Sequence, residues 1–149
     1  MTEFLETTVD KFIFRVANGC FYNSEGLWAR EEDGRVHIGL SDFVQQRSGD
    51  VAFAEIKPAG TAMAVGDEAA VIETIKVSIV FTSPVTGKVV EVNPVMAEAP
   101  EAINQDPYGE GWLAVIESAD WASDRIRLLD PQAYFVHMKG NAEEEAKKL

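Results

Sequence analysis

Side chains able to carry covalent or acid–base chemistry are few in this 149-residue chain, and their spacing does not join them. The histidines are His37 and His137, one in a strand-like run and one in a late helical run. Cys20 is the single cysteine. Cys20 with His37 has the residue types of a nucleophile and its base, but a free cysteine and an unrelated strand histidine is the reading preferred. None of the patterns HExxH, CxxC, GxSxG or GxxxxGKS/T occurs, so no zinc protease, redox pair, nucleophile elbow or P-loop is expected. A metal site would fall to carboxylates alone, and no metal is expected. Gly109–Gly111 (GEG) lacks the basic residue and helix start of a phosphate loop. No catalytic set is therefore expected.

The remaining candidate is Lys76, in the run Glu73-Thr74-Ile75-Lys76-Val77. A lysine amine can be acylated to a stable amide with loss of its charge, which is how a carrier would hold a prosthetic group on one exposed residue. Most lysines are ordinary solvated side chains, so this reading needs context.

Glu68 to Phe81 is almost unbroken β-type sequence without Gly, Pro or Asn. That is longer than a typical strand, so a turn is expected near its middle, where Lys76 lies. Gly66-Asp67 and Gly87-Lys88 stand on either side, as for two similar strand pairs about a central turn. Phe12–Val16, Val51–Ile56, Lys88–Val92 and Trp112–Glu117 read as strands. Trp28–Glu31 and Arg35–Ile38 flank Asp33-Gly34, a hairpin signal. Asn18–Gly26 and Asn93–Gly111 read as loops. Ser41 is expected to cap a helix over Asp42–Gln46, closed by Gly49. Ser118 or Asp120 would cap another, and Asp130-Pro131 would open the last. A mainly β barrel or sandwich with C-terminal helices follows.

Thirteen Lys and Arg oppose twenty-five Asp and Glu, a net charge of -12. Such a surface repels nucleic acid and anionic lipid and suits docking on basic patches of other proteins. The N-terminus lacks the basic and apolar regions of a signal peptide, and no apolar run is long enough to span a bilayer. A lone cysteine gives no sign of an oxidising compartment, so a cytoplasmic location is expected.

Three segments carry a family resemblance: HIGLSDFVQQRSGDVAFAEI (37–56), AVIETIKVSIVFTSPVTGKVVEVN (70–93) and AINQDPYGEGWL (102–113). In this order and spacing the chain, from Trp28 to the last helix, resembles the glycine cleavage system H proteins, members of the biotinyl/lipoyl-attachment class. The resemblance implies a flattened barrel-sandwich hybrid with short helices and a C-terminal helix. It implies lipoate attached covalently to Lys76, with Glu73, Ile75, Val77 and Gly87 read by a lipoate ligase or lipoyl transferase. Biotin carriers flank the lysine with methionines, so Ile75 and Val77 argue against biotin. The implied organisation is an N-terminal extension packing on the core (1–27), the lipoyl domain (28–140) and a charged tail that frays (141–149).

Two departures bear on cargo. Leu27 stands where H proteins have a glutamate before Trp28, and Ile79 where they have an aspartate after Ser78. Leu27, Trp28, Ser78 and Ile79 are the expected lining of the arm's cleft. An aminomethyl cargo is cationic, and a buried cation needs acceptors; Glu25 is the nearest substitute, in a shifted register. The longer N-terminus and the missing carboxylates resemble the H-like lipoate-binding proteins of bacterial sulfur oxidation. That resemblance implies a non-catalytic shuttle for sulfur intermediates, with a heterodisulfide-reductase-like complex and dihydrolipoyl dehydrogenase as partners. The alternatives are a glycine-cleavage carrier of an aminomethyl group, an unlipoylated binding scaffold, and an enzyme using Cys20.

Overall fold

The computed structural model describes residues 3–148. Among them the chain forms eleven strands and five helices. Strands β1 (Phe4–Val9) and β2 (Phe12–Ala17) make an isolated hairpin. Then come β3 (Phe21–Tyr22), β4 (Leu27–Glu32), β5 (Arg35–Leu40), α1 (Asp42–Ser48), β6 (Val51–Ile56) and β7 (Ala62–Met63). Next are β8 (Glu68–Thr74), β9 (Ser78–Thr82), β10 (Gly87–Val92), α2 (Val95–Glu98) and α3 (Ala102–Gln105). The chain closes with β11 (Ala114–Ser118), α4 (Trp121–Arg127) and α5 (Pro131–Ala146). A six-stranded sheet, β3-β4-β5-β11-β10-β7, and a three-stranded sheet, β6-β8-β9, share one hydrophobic core. Val36, Ile38, Val89 and Ile116 enter it from the first sheet, and Ala54, Ile72 and Phe81 from the second.

Local chemistry accounts for the elements. Asp33 and Gly34 both take positive φ, 52° and 81°, as the tight β4–β5 turn requires. The β8–β9 turn falls where the overlong β-type run predicts it, and Val71 pairs Val80 on either side. Asp120 and Asp130 cap α4 and α5 through the amides of Ser123 and Ala133. Ser41 stands at the N-cap of α1, but its side chain makes no capping bond. Its hydroxyl is 2.8 Å from that of Tyr134, and Tyr134 stacks on Tyr22 at 4.3 Å between ring centroids. Ser41 thus seats α5.

The stretch Asn93–Gly111, read as a loop, contains α2 and α3, and its second half with Trp112 and Leu113, which precede β11 instead of opening it, is a strap around Trp28. The indole N–H donates to the carbonyl of Pro107 at 2.9 Å, and Asn93 donates to the carbonyls of Glu110 and Trp112 at 2.8 and 2.7 Å. A side chain on Gly111 would strike the Ala102 carbonyl at 2.6 Å.

Two terminal features differ from expectation. β1 is a strand the sequence reading passed over; its turn places the non-glycine Asp10 at φ 57° without a Gly signal. The β1–β2 hairpin lies on α1 and α5, while β3 joins the large sheet. The charged segment is helical past 141: α5 continues to Ala146, with Ala142 buried and Glu145 paired to Arg47 at 3.4 Å.

Candidate functional site

Lys76 sits at the tip of the β8–β9 hairpin and is exposed. The tip is tied down by one threonine. The Thr74 hydroxyl accepts from the amides of Lys76 at 3.2 Å and Val77 at 3.1 Å, and it donates to the Val77 carbonyl at 3.2 Å. The amide of Ile75 donates to the Asp50 carbonyl at 3.1 Å, which fastens the tip to the α1–β6 connection. A β-branched, hydroxyl-bearing residue suits both the strand end and the turn.

The side chain of Lys76 lies across Gly49, and its ammonium donates to the carbonyl of Arg47 at 3.4 Å. Arg47 is in the last turn of α1, where free carbonyls and the negative end of the helix dipole favour a donor. Gly49 makes this approach possible: a Cβ there would sit 2.7 Å from Cε of Lys76. Asn104 braces the connection, donating to Gln45 Oε1 at 3.0 Å and to the Gly49 carbonyl at 3.1 Å. Its own oxygen accepts from the Val51 amide at 2.8 Å. Sequence reasoning missed both residues as parts of this site; Gly49 was legible as a helix stop, and Asn104 only as part of a quoted segment.

Gly49 has φ 91° and ψ -172°, a region open essentially to glycine. Gly49→Ala is therefore expected to lower stability by about 1–3 kcal/mol and to displace the lysine stem. Denaturant unfolding and the Lys76 side-chain shifts read these two effects separately.

The other candidates separate into two groups. Glu73, Ile75, Val77 and Ser78 surround the tip and are exposed or nearly so; Ile75 is 74% and Val77 49% exposed. Ile79 is half-buried, opposite Ile72. Leu27 and Trp28 are fully buried in the core, and the structure does not bring them to an open cleft beside the tip. Glu25 lies at the far end of β9, where one oxygen accepts from the Thr82 amide at 2.9 Å and the hydroxyl at 2.7 Å. Gly87 begins β10 and is fixed by close approach: a Cβ would collide with the Glu117 carbonyl.

Cys20 is buried, and burial pushes its thiol up to about 11. His37 is on β5, its pKa lowered by burial, and its Nδ1 lacks a partner. With its pKa raised to about 11 by burial the thiol is almost wholly protonated at pH 8, and only the thiolate attacks disulfides. Native protein at pH 8 is therefore expected to react with an aromatic disulfide reagent only as fast as it opens, with a burst on adding denaturant. A fast native phase would contradict this.

Among the described residues no group of three or more His, Cys, Asp or Glu side chains is placed to hold a metal. No helix there is long and apolar enough to cross a membrane.

A braced hairpin that raises one lysine from a two-sheet β domain is the mark of the biotinyl/lipoyl-attachment class. The family model described as Glycine cleavage H-protein matches residues 20–141. A glycine cleavage system H protein of Teredinibacter turnerae is 43% identical over 114 residues, 76% of this chain and 87% of the relative. That of Xanthomonas euvesicatoria is 46% identical over 109 residues, 72% of this chain and 82% of the relative. The crystal structure of a glycine cleavage system H protein from Mycobacterium marinum superposes with a TM-score of 0.72 at 25% identity, covering 78% of this chain and 94% of that one. The chain belongs to the glycine cleavage H-protein family, lipoyl carriers whose members hold lipoate covalently on a lysine. Its fold is the barrel-sandwich hybrid expected from the sequence. These relatives are named for glycine cleavage and not for sulfur oxidation.

Proposed function

We propose that this protein is the lipoyl carrier of a glycine cleavage system and that Lys76 is its attachment residue. The observation that carries the assignment is the placement of the Lys76 amine at a braced, exposed tip. The residues fit an acylated lysine. Gly49 leaves room for the stem, and the secondary amide keeps one N–H for the Arg47 carbonyl. The bound lipoyl group supplies reversible two-electron dithiol–disulfide chemistry. The chain's own residues present that group. Thr74 and Asp50 fix the direction of the tip, Asn104 fixes the connection beneath it, and the surface charge of -12 favours partners with basic docking faces. The partners of this reading are a lipoate ligase or lipoyl transferase, glycine decarboxylase, aminomethyltransferase and dihydrolipoyl dehydrogenase. The isolated protein has no turnover of its own.

Incubation with lipoate ligase, lipoate and ATP is expected to add one lipoyl mass, mapped to Lys76 by peptide sequencing. Attachment elsewhere would overturn the assignment. Glu73 is exposed and its strand neighbours are Phe53 and Ser78. Glu73→Ala should slow lipoylation about tenfold, the loss of one charge-assisted contact to the ligase. Stability should shift by no more than about 0.5 kcal/mol. An unfolded Glu73→Ala protein would make the residue structural instead.

One observation favours a second reading, a carrier of sulfur intermediates serving a heterodisulfide-reductase-like complex. Ile79, three residues past Lys76, is apolar, and Glu25 is bonded at Thr82 instead. A neutral or anionic sulfur cargo needs no carboxylate there. Reconstitution with the glycine cleavage partners separates the readings: sustained turnover supports the first, and intact lipoylation without turnover supports the second.

A further inference from the structure

The two edges of the β1–β2 hairpin are finished differently. Its pairing runs from Phe4 opposite Ala17 to Val9 opposite Phe12 without a bulge, and the Asn18 amide donates to the Glu3 carbonyl at 2.9 Å. That bond sets the alternation of the antiparallel ladder. Leu5, Thr7 and Val9 bond to β2, while the N–H and C=O groups of Phe4, Glu6 and Thr8 point away from it. On β2 the outward groups are those of Ile13, Arg15 and Ala17, and four side chains cover that edge. Gln46 donates to the Ile13 carbonyl at 2.8 Å, and the Arg15 amide donates to Asp42 at 2.9 Å. Tyr108 donates to the Arg15 carbonyl at 2.9 Å, and Tyr22 to the Ala17 carbonyl at 2.8 Å. On β1, among the described residues, nothing bonds the outward groups of Phe4, Glu6 and Thr8.

A bare strand edge is a template for pairing with another chain, and proteins usually guard it. The other edges here are guarded. β3 and β7 have two residues each. β6 is bulged between Val51 and Phe53, and Thr82 of β9 is held by Asn23 and Glu25. β1 has six residues, no proline, no lysine and no bulge. Its one charge, Glu6, is paired with Arg15 at 2.8 Å. The whole hairpin lies before residue 20, outside the family match.

We propose that the outer edge of β1 adds β1 of a second copy of this chain, joining two hairpins into one four-stranded antiparallel sheet about a two-fold axis. Charge selects this occupant. Two chains of net charge -12 repel over most of their surfaces, but the hairpin balances Glu6 and Asp10 with Lys11 and Arg15. It is a neutral place for two copies to meet, and it offers no attraction to a basic partner strand. Pairing centred on Thr7 sets Thr7 opposite Thr7, Glu6 opposite Thr8 and Leu5 opposite Val9 of the second copy. The two Glu6 carboxylates are then kept apart, and the threonine and aliphatic cross-strand pairs are favourable. Six paired residues make a small interface, so association is weak and governed by concentration. The Lys76 tip belongs to the other sheet, β6-β8-β9. On the carrier reading the pair therefore presents two arms, and joint docking on an oligomeric partner raises their effective concentration.

The test uses the full chain without lipoate, so its outcome is separate from that of the attachment site. Sedimentation equilibrium at about 0.15 M salt, from about 1 μM to about 1 mM, should show the average mass rising from one copy toward two. Over the same range hydrogen exchange at the Glu6 and Thr8 amides should slow about tenfold. The Leu5 and Thr7 amides, already bonded within the hairpin, should change far less. Thr8→Pro removes an outward N–H that β2 does not use, and this variant should remain a single copy throughout. Where the proline disturbs the hairpin, the exchange pattern of the parent decides by itself. A parent that stays a single copy at about 1 mM would overturn the proposal. So would a mass that doubles while Glu6 and Thr8 keep exchanging fast, or doubles equally in Thr8→Pro, since the interface would then lie elsewhere.

Discussion

Lys76→Arg is expected to abolish lipoylation, with no mass addition detectable under conditions that fully modify the parent, and to leave the unfolding midpoint unchanged. The first half follows from chemistry: acyl transfer needs a free amine, and a guanidinium stays protonated and non-nucleophilic at any working pH. The second follows from the exposure of the side chain and its long 3.4 Å bond to the Arg47 carbonyl, which leaves an effect of at most about 0.5 kcal/mol. Arginine is the better test than alanine, because it keeps the charge, and with it any docking that depends on charge. The competing lysines are placed differently. Lys57 pairs with Glu68 at 3.0 Å, and Lys88 lies within β10 between β11 and β7. Neither stands at a hairpin tip; Lys11 does, in the β1–β2 turn, but it lies outside the family match. Lipoyl mass retained on Lys57 or Lys88 in the variant would remove the basis for the attachment site.

The tip was legible because its sequence is self-contained. A β-type run too long for one strand must turn, and Lys76 lies near its middle. Asp33-Gly34 announced its turn in the same local way. What supports the tip was not legible, since it comes from distant segments. Gly49 reads as a helix stop, yet its missing Cβ also clears space for a lysine 27 residues later. Asn104 reads as one polar residue in a loop, yet it supplies three bonds beneath the site. Ser41 shows the converse error: propensity makes it a cap, and a tertiary contact to Tyr134 takes its hydroxyl instead. β1 was missed because it carries its turn on Asp10-Lys11, without the glycine that marks most tight hairpins. The extent of α5 was not legible because its last turns are dominated by charge; Ala142 and Ala146 between the charges line a groove between α1 and the hairpin.

Leu27 is where a position inferred from family resemblance and the physics of this chain part most sharply, and it carries the second large effect. Leu27→Glu is expected to destabilise the protein by roughly 4 kcal/mol at pH 7, combining lost apolar burial with a carboxylate that has no partner. For a chain of this size that lowers the melting temperature by roughly 8–16 °C. The cause is position: Leu27 starts β4 opposite Leu40 and is fully buried. The deficit must depend on pH. Burial raises the folded-state pKa of the new carboxyl above its unfolded value of about 4.3. The folded state then binds more protons, so stability relative to the parent falls as pH rises from about 4.3 to the raised value and levels off above it. Ile79→Asp differs. Ile79 is half-buried, and an aspartate there can reach solvent, so a cost of about 1 kcal/mol is expected. A test of cargo should therefore place the carboxylate at 79 alone. If the arm carries an aminomethyl group, Ile79→Asp should slow its loss in the absence of partners. Melting curves of both variants from pH 4 to 8 decide the structural half. A Leu27→Glu protein that melts with the parent at every pH would place position 27 in a solvated cleft beside the arm.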